Sequence, residues 1–108
     1  AEAEPLFKRA LAIRAKALGP EHPHVGMSLN NLAEFYRFQG KYVEAEPLYK
    51  GSLAISEKAL GPEHPNVALS LENYAALLRK TNRNGEAAKM EARAKAIRAK
   101  HASENPTK

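Results

Sequence analysis

AEPLFKRALAIRAKALGPEHPHVGMSLNN, residues 3–31, returns 42 positions later as AEPLYKGSLAISEKALGPEHPNVALSLEN, residues 45–73. About two thirds of the positions aligned over residues 2–37 are identical at that offset. Self-similarity of this length marks an array of one structural unit stacked on itself. A third copy opens at Glu86-Ala87 and decays, with Glu91 where Tyr49 stands and Lys95 where Leu53 stands. The array is expected to end there, because a terminal unit needs a polar outer face.

Within one unit the apolar period is helical. In HVGMSLNNLAEFYRFQG (residues 24–40), Val25, Leu29, Leu32 and Tyr36 step by four, three and four, with Ala33 and Phe35 beside them. Gly40 can end that helix in the left-handed conformation. KYVEAEPLYKGSLAISEKALG (residues 41–61) then carries Tyr42, Ala45, Leu48, Tyr49, Ser52, Leu53 and Ile55 on a second, wider arc. Two antiparallel helices per unit are expected, with Pro5 and Pro47 in or near the first turn of the second helix, where a missing N–H costs little.

The pentapeptide GPEHP occurs at Gly19 and again at Gly61. A carboxylate beside an imidazole can be chemistry, but a metal needs three or four converging ligands and each copy offers one Glu and one His. His24 adds a ligand in the first copy alone. The better reading is punctuation: Gly61 stops a helix, Pro62 cannot continue it, and Pro65 opens the next with His64 near its N-cap.

Composition narrows the functions. The chain of 108 residues is 44% apolar and 27% charged, ordinary for a folded soluble domain. With no cysteine, disulfides, zinc-thiolate sites and thiol nucleophiles are excluded. No apolar run approaches the roughly 20 residues that span a bilayer, so no membrane partner is expected and a cytoplasmic setting is. The chain opens at Ala1 in the middle of a unit and is expected to be a piece of a longer protein. No Gly-rich phosphate loop, HExxH or GxSxG occurs, so no enzyme, catalytic residue, metal or cofactor is expected.

The segment SLNNLAEFYRFQGKYVEAEPLYK (residues 28–50) resembles the tetratricopeptide repeat, in the variety of about 42 residues found in kinesin light chains and their bacterial relatives. The motif positions hold Leu29, Leu32, Ala33, Tyr36, Gly40, Tyr42, Ala45, Tyr49 and Ser52, the last replacing a usual Ala. The next unit has Leu71, Tyr74, Ala75, Leu78, Ala87 and Ala94, but departs at Asn82, Asn84 and Glu91, as a closing repeat would. The resemblance implies an all-α fold: a right-handed superhelical array of antiparallel helix pairs, with about two and a half repeats and five helices. Residues 1–18 would be the second helix of a truncated repeat, 24–60 a full repeat, 66–102 a full terminal repeat with a basic capping helix, and 103–108 a tail. It also implies a protein-interaction module that binds a peptide or partner protein in its concave groove.

The residues suggest where. On a helical wheel the arc opposite the apolar stripe carries Met27, Asn30, Asn31, Glu34, Arg37 and Phe38, and one unit later Leu69, Glu72, Asn73, Ala76, Arg79 and Lys80. Met27 and Leu69 recur on a face otherwise polar, and aligned apolar positions along a stack make a patch. Asn31 and Asn73 offer donor and acceptor together, which suits an extended peptide backbone, or they tie helix to helix. In the family, asparagines of this kind contact bound peptide. Arg37 and Arg79 could pair with carboxylates, so an acidic or mixed acidic and apolar ligand is expected. The candidate binding set is Met27, Asn30, Asn31, Glu34, Arg37, Leu69, Glu72, Asn73 and Arg79.

Two alternatives belong to other classes. The first helix lacks an intra-repeat partner, leaving Ala3, Phe7 and Ala10 uncovered, so the chain could form a homo-oligomer through that end. The other rests on charge: residues 1–78 sum to −1 and residues 79–108 to +6. The last helix, with Lys89, Arg93, Lys95, Arg98 and Lys100 around a stripe of Ala87, Met90, Ala94 and Ile97, could hold phosphates. Nucleic acid is disfavoured, since no aromatic follows Tyr74 to stack bases.

Overall fold

Each GPEHP turn acts through its histidine. The Nδ1 atoms of His22 and His64 accept the N–H groups of His24 and Asn66 at 3.1 and 3.0 Å, satisfying a donor that a helix start leaves free. Pro23 and Pro65 occupy the first helical turn. Gly61 has φ 95°, a value that strains any residue with a Cβ. Its N–H reaches the Glu57 carbonyl at 3.1 Å while its own carbonyl accepts from His64 at 3.2 Å. The pentapeptide is stop, turn and restart.

These turns separate the helices of the computed structural model, which describes residues 3–104: α1 (Ala3–Leu18), α2 (Pro23–Phe38), α3 (Tyr42–Leu60), α4 (Pro65–Lys80) and α5 (Asn84–Glu104). The fold is an all-α solenoid of about two and a half repeats, in which each helix packs on the next and α2 also touches α4.

The turns inside the repeats follow one geometry with two different residues. After α2, Gly40 at φ 78° lets Lys41 N–H reach Tyr36 O and Gly40 N–H reach Arg37 O, at 2.9 and 3.0 Å. After α4, Asn82 takes the left-handed position at φ 64°, with Arg83 N–H on Leu78 O and Asn82 N–H on Arg79 O. Both are Schellman closures, and Asn is the side chain that tolerates this conformation best after Gly. Pro47 differs from expectation: α3 begins at Tyr42, so Pro47 lies inside the helix rather than in its first turn. The carbonyl that loses its partner belongs to Val43, a residue 85% exposed, where water can replace the missing N–H.

The expected apolar stripes form the core. Val25, Leu32, Ala33 and Tyr36 of α2 are buried, as are Ala45 and Tyr49 of α3 and Val67, Leu71, Tyr74, Ala75 and Leu78 of α4. Ala87, Ala94 and Ile97 seat α5. In contrast, α1 has no buried residue. Phe7, expected to be uncovered, packs on Phe35 with ring centroids 5.3 Å apart. The large apolar side chains left open on α1 are Leu6, Ile13 and Leu18, the first two 67% and 58% exposed with Ala10 between them.

Candidate functional site

The face shared by α2 and α4 is where the sequence places a binding surface, and its charged residues prove to be occupied. Arg37 donates from Nε and Nη2 to Glu34 Oε1, at 3.0 and 2.6 Å, and also from Nε to the Tyr49 hydroxyl at 2.9 Å. That hydroxyl in turn donates to Glu34. Burial, and then the Glu34 carboxylate, push the Tyr49 phenol well above its ordinary range. Arg79 forks onto Glu91 of α5 at 2.8 and 2.5 Å, and Glu72 receives a fork from Arg98 at 2.7 and 2.9 Å. The hydrogen bond from Arg98 holds the Glu72 carboxyl below its usual value. The guanidinium forks that an acidic ligand would need are spent on the protein's own carboxylates.

The amides divide between two duties. Asn73 Nδ2 donates to Asn30 Oδ1 at 3.1 Å, tying α4 to α2 across the repeat boundary. Asn31 is exposed. The two apolar residues stay accessible: Met27 is 53% and Leu69 48% exposed.

Between α2, α3 and α4 these residues border a cavity of about 110 Å³, lined by Met27, Asn30, Asn31, Ser52, Ser56, Asn66, Leu69 and Ser70. Thus Met27, Asn30, Asn31 and Leu69 of the expected set meet at one place, whereas Glu34, Arg37, Glu72, Asn73 and Arg79 do not line it. No charged side chain does. The residues that sequence reasoning missed are Ser52, Ser56, Asn66 and Ser70. A signal for Ser56 was present: at the 42-residue offset it stands where the flanking copies carry Arg14 and Arg98.

The basic last helix is similarly engaged. Arg93 pairs with Glu57 at 2.5 Å, Arg98 with Glu72, and Lys100 with Glu63. Among the described residues no group of three or more His, Cys, Asp or Glu side chains could hold a metal ion, and no helix is long and apolar enough to cross a membrane.

Comparison with known proteins agrees with this architecture. Two tetratricopeptide repeat family models match, one over residues 24–100 and one over residues 1–24. No curated protein matches the chain. Among solved structures, a Podosopora anserina chain of nearly identical TPR-like repeats, assigned to the kinesin light chains, superposes with a TM-score of 0.83 at 34% identity. A point variant of that same chain matches equally, with a TM-score of 0.83 at 34% identity. Each match covers 93% of this chain but 47% of the other, so the chain spans about half the length of those relatives. The fold is a non-catalytic one that generally mediates protein–protein interaction. The chain belongs to the tetratricopeptide repeat family, in its kinesin light chain-like form.

Proposed function

We propose that this chain binds a peptide segment of a partner protein in the groove lined by α2 and α4, the first helices of its two full repeats. The observation that carries the reading is the cavity at the α2–α3–α4 junction, where the accessible side chains of Met27 and Leu69 meet three amides and three buried serines. Apolar rims with a few convergent polar groups are what binding sites share. Since Arg37 and Arg79 are held by Glu34 and Glu91, acidity is not what the groove selects. To test the reading, the protein is screened against a displayed library of random dodecapeptides beside Met27→Glu/Leu69→Glu. Peptides enriched by the protein and lost by the variant, with helicity unchanged by circular dichroism, support the groove; peptides retained by the variant, or none at all, reject it.

A second reading rests on the exposed Leu6 and Ile13 of α1. Their counterparts one repeat on, Leu48 and Ile55, are half-buried in a helix flanked on both sides. A second copy of the chain covering that stripe would give a dimer. Light scattering at increasing concentration that shows a constant monomer mass removes this alternative, as would a dimer undisturbed by Leu6→Glu/Ile13→Glu.

A further inference from the structure

The repeat alignment shows how the cavity comes to be open. Between α1 and α2 the guanidinium of Arg14 reaches across, and its Nη1 donates to Ser28 Oγ at 2.9 Å. One repeat later Ser56 stands where Arg14 stands, and Ser70 where Ser28 stands. The shorter side chain cannot reach across. Ser70 loses the donor that its counterpart has, and space remains between α2, α3 and α4.

Three hydroxyl-bearing residues face this space while being more than nine-tenths buried: Ser52 at 2%, Ser56 at 7% and Ser70 at 5% exposure. Their hydroxyls have no hydrogen-bond partner among the described residues, yet no side-chain N or O atom there is both sealed from solvent and unpaired. All three residues line the cavity, so hydroxyls that are neither sealed nor paired are open to a group that enters it. Ser52 sharpens the case, because the motif position it fills usually carries Ala and its counterpart in α5 is Ala94. At about 110 Å³ the space far exceeds the roughly 10–15 Å³ that a single water needs, so a group of several heavy atoms can enter.

We infer that this cavity is an anchor pocket for an uncharged hydrogen-bonding side chain of the bound segment, a carboxamide of Asn or Gln. The inference rests on the groove reading above and names what the groove selects. A carboxylate or a cation entering here would lose water without meeting an opposite charge, since no charged side chain lines the space. An aliphatic group would strip water from the serine hydroxyls and the amides of Asn31 and Asn66 and return no hydrogen bond. A carboxamide brings two donors and an acceptor to groups that can each donate and accept. Its stem passes between Met27 and Leu69.

The test uses the same displayed dodecapeptide library with two further variants. Ser56→Arg places in the pocket the plug that the neighbouring copy already carries, and Ser52→Ala/Ser70→Ala removes hydroxyls while keeping helix-forming residues. The expected result is Asn or Gln at one fixed position of the enriched peptides. Ser56→Arg should lower their affinity about tenfold or more, and the serine pair should erase the preference for Gln over Leu at that position. Thermal melting confirms that each variant folds, and the alanine pair decides if Ser56→Arg does not. Peptides that Met27→Glu/Leu69→Glu loses but Ser56→Arg and the alanine pair both keep would leave the groove standing and overturn the pocket. An acidic, basic or aliphatic residue at the fixed position would overturn it too. No enriched peptide at all would overturn both.

Discussion

Tyr49 of α3 and Tyr74 of α4 stack across the repeat boundary, their ring centroids 6.2 Å apart and their planes 12° from parallel. Each hydroxyl donates to a glutamate on a different helix, Tyr49 to Glu34 of α2 and Tyr74 to Glu46 of α3 at 2.7 Å. One pair of rings thus joins three helices. Tyr74→Phe keeps the stack and removes a hydrogen bond to a charged acceptor, which Arg83 still neutralises at 2.6 Å. We expect a loss of about 1–2 kcal/mol, read as a fall in the urea midpoint with an unchanged slope. Tyr74→Ala, which also empties the buried site, should cost roughly 3–5 kcal/mol. Similar losses for the two variants would show that the stack contributes little.

Acid should loosen the same joint. The Glu46 carboxyl is held below its ordinary 4.5 by the hydrogen bond from Arg83 and then that from Tyr74, against the opposing effect of burial. Glu72 is lowered likewise by Arg98. A carboxyl depressed in the folded state binds fewer protons there than in the unfolded chain. Its contribution is therefore complete above the unfolded value and lost as pH falls through the folded one. From these carboxylates the melting temperature should drop as the pH falls below about 4. Glu46→Gln should shallow that drop; an unchanged acid limb would assign it to other carboxylates.

Salt should act mainly on the last helix. Arg93, Arg98 and Lys100 reach back from α5 to Glu57, Glu72 and Glu63, and exposed pairs of this kind are screened by salt. Arg98→Ala alone should cost only about 0.2–1 kcal/mol. Hydrogen exchange of the α5 amides should quicken in Arg93→Ala/Arg98→Ala and, equally, in the unmodified chain at high salt. Protection that ignores both changes would mean that Ala87, Ala94 and Ile97 hold the helix by packing.

The histidine caps can be improved upon. His64→Asp keeps an acceptor for the Asn66 N–H and adds a negative charge at a helix start, which the aligned peptide dipoles favour. A gain of about 0.3–1 kcal/mol is expected at neutral pH, whereas His64→Ala should lose roughly 0.5–2 kcal/mol. Thermal melts of the two variants side by side check the sign.

The sequence carried the helices and turns because repetition states each of them twice. GPEHP, the apolar steps from Val25 to Tyr36 and the departures at Asn82 and Glu91 all had direct structural counterparts. Pairing was less legible. Arg37 and Arg79 share one register, yet the first turns to Glu34 on its own helix and the second to Glu91 on the next. A period describes a residue's direction and not its partner. Ser56 is illegible for another reason: a stripe is made of apolar side chains, and this position matters for the length of what it lacks.

The way α1 is held has a mechanical meaning. Among the described residues it rests on α2 alone, through Phe7 against Phe35, Arg14 on Ser28 and Glu4 accepting from Tyr36 at 2.5 Å. Helices α3 and α4 are each gripped by neighbours on two sides, and α5 is laced down by its cations. Under tension across these five helices the α1–α2 contact would yield before the joint between α3 and α4, and the tyrosine stack would bear load only after it.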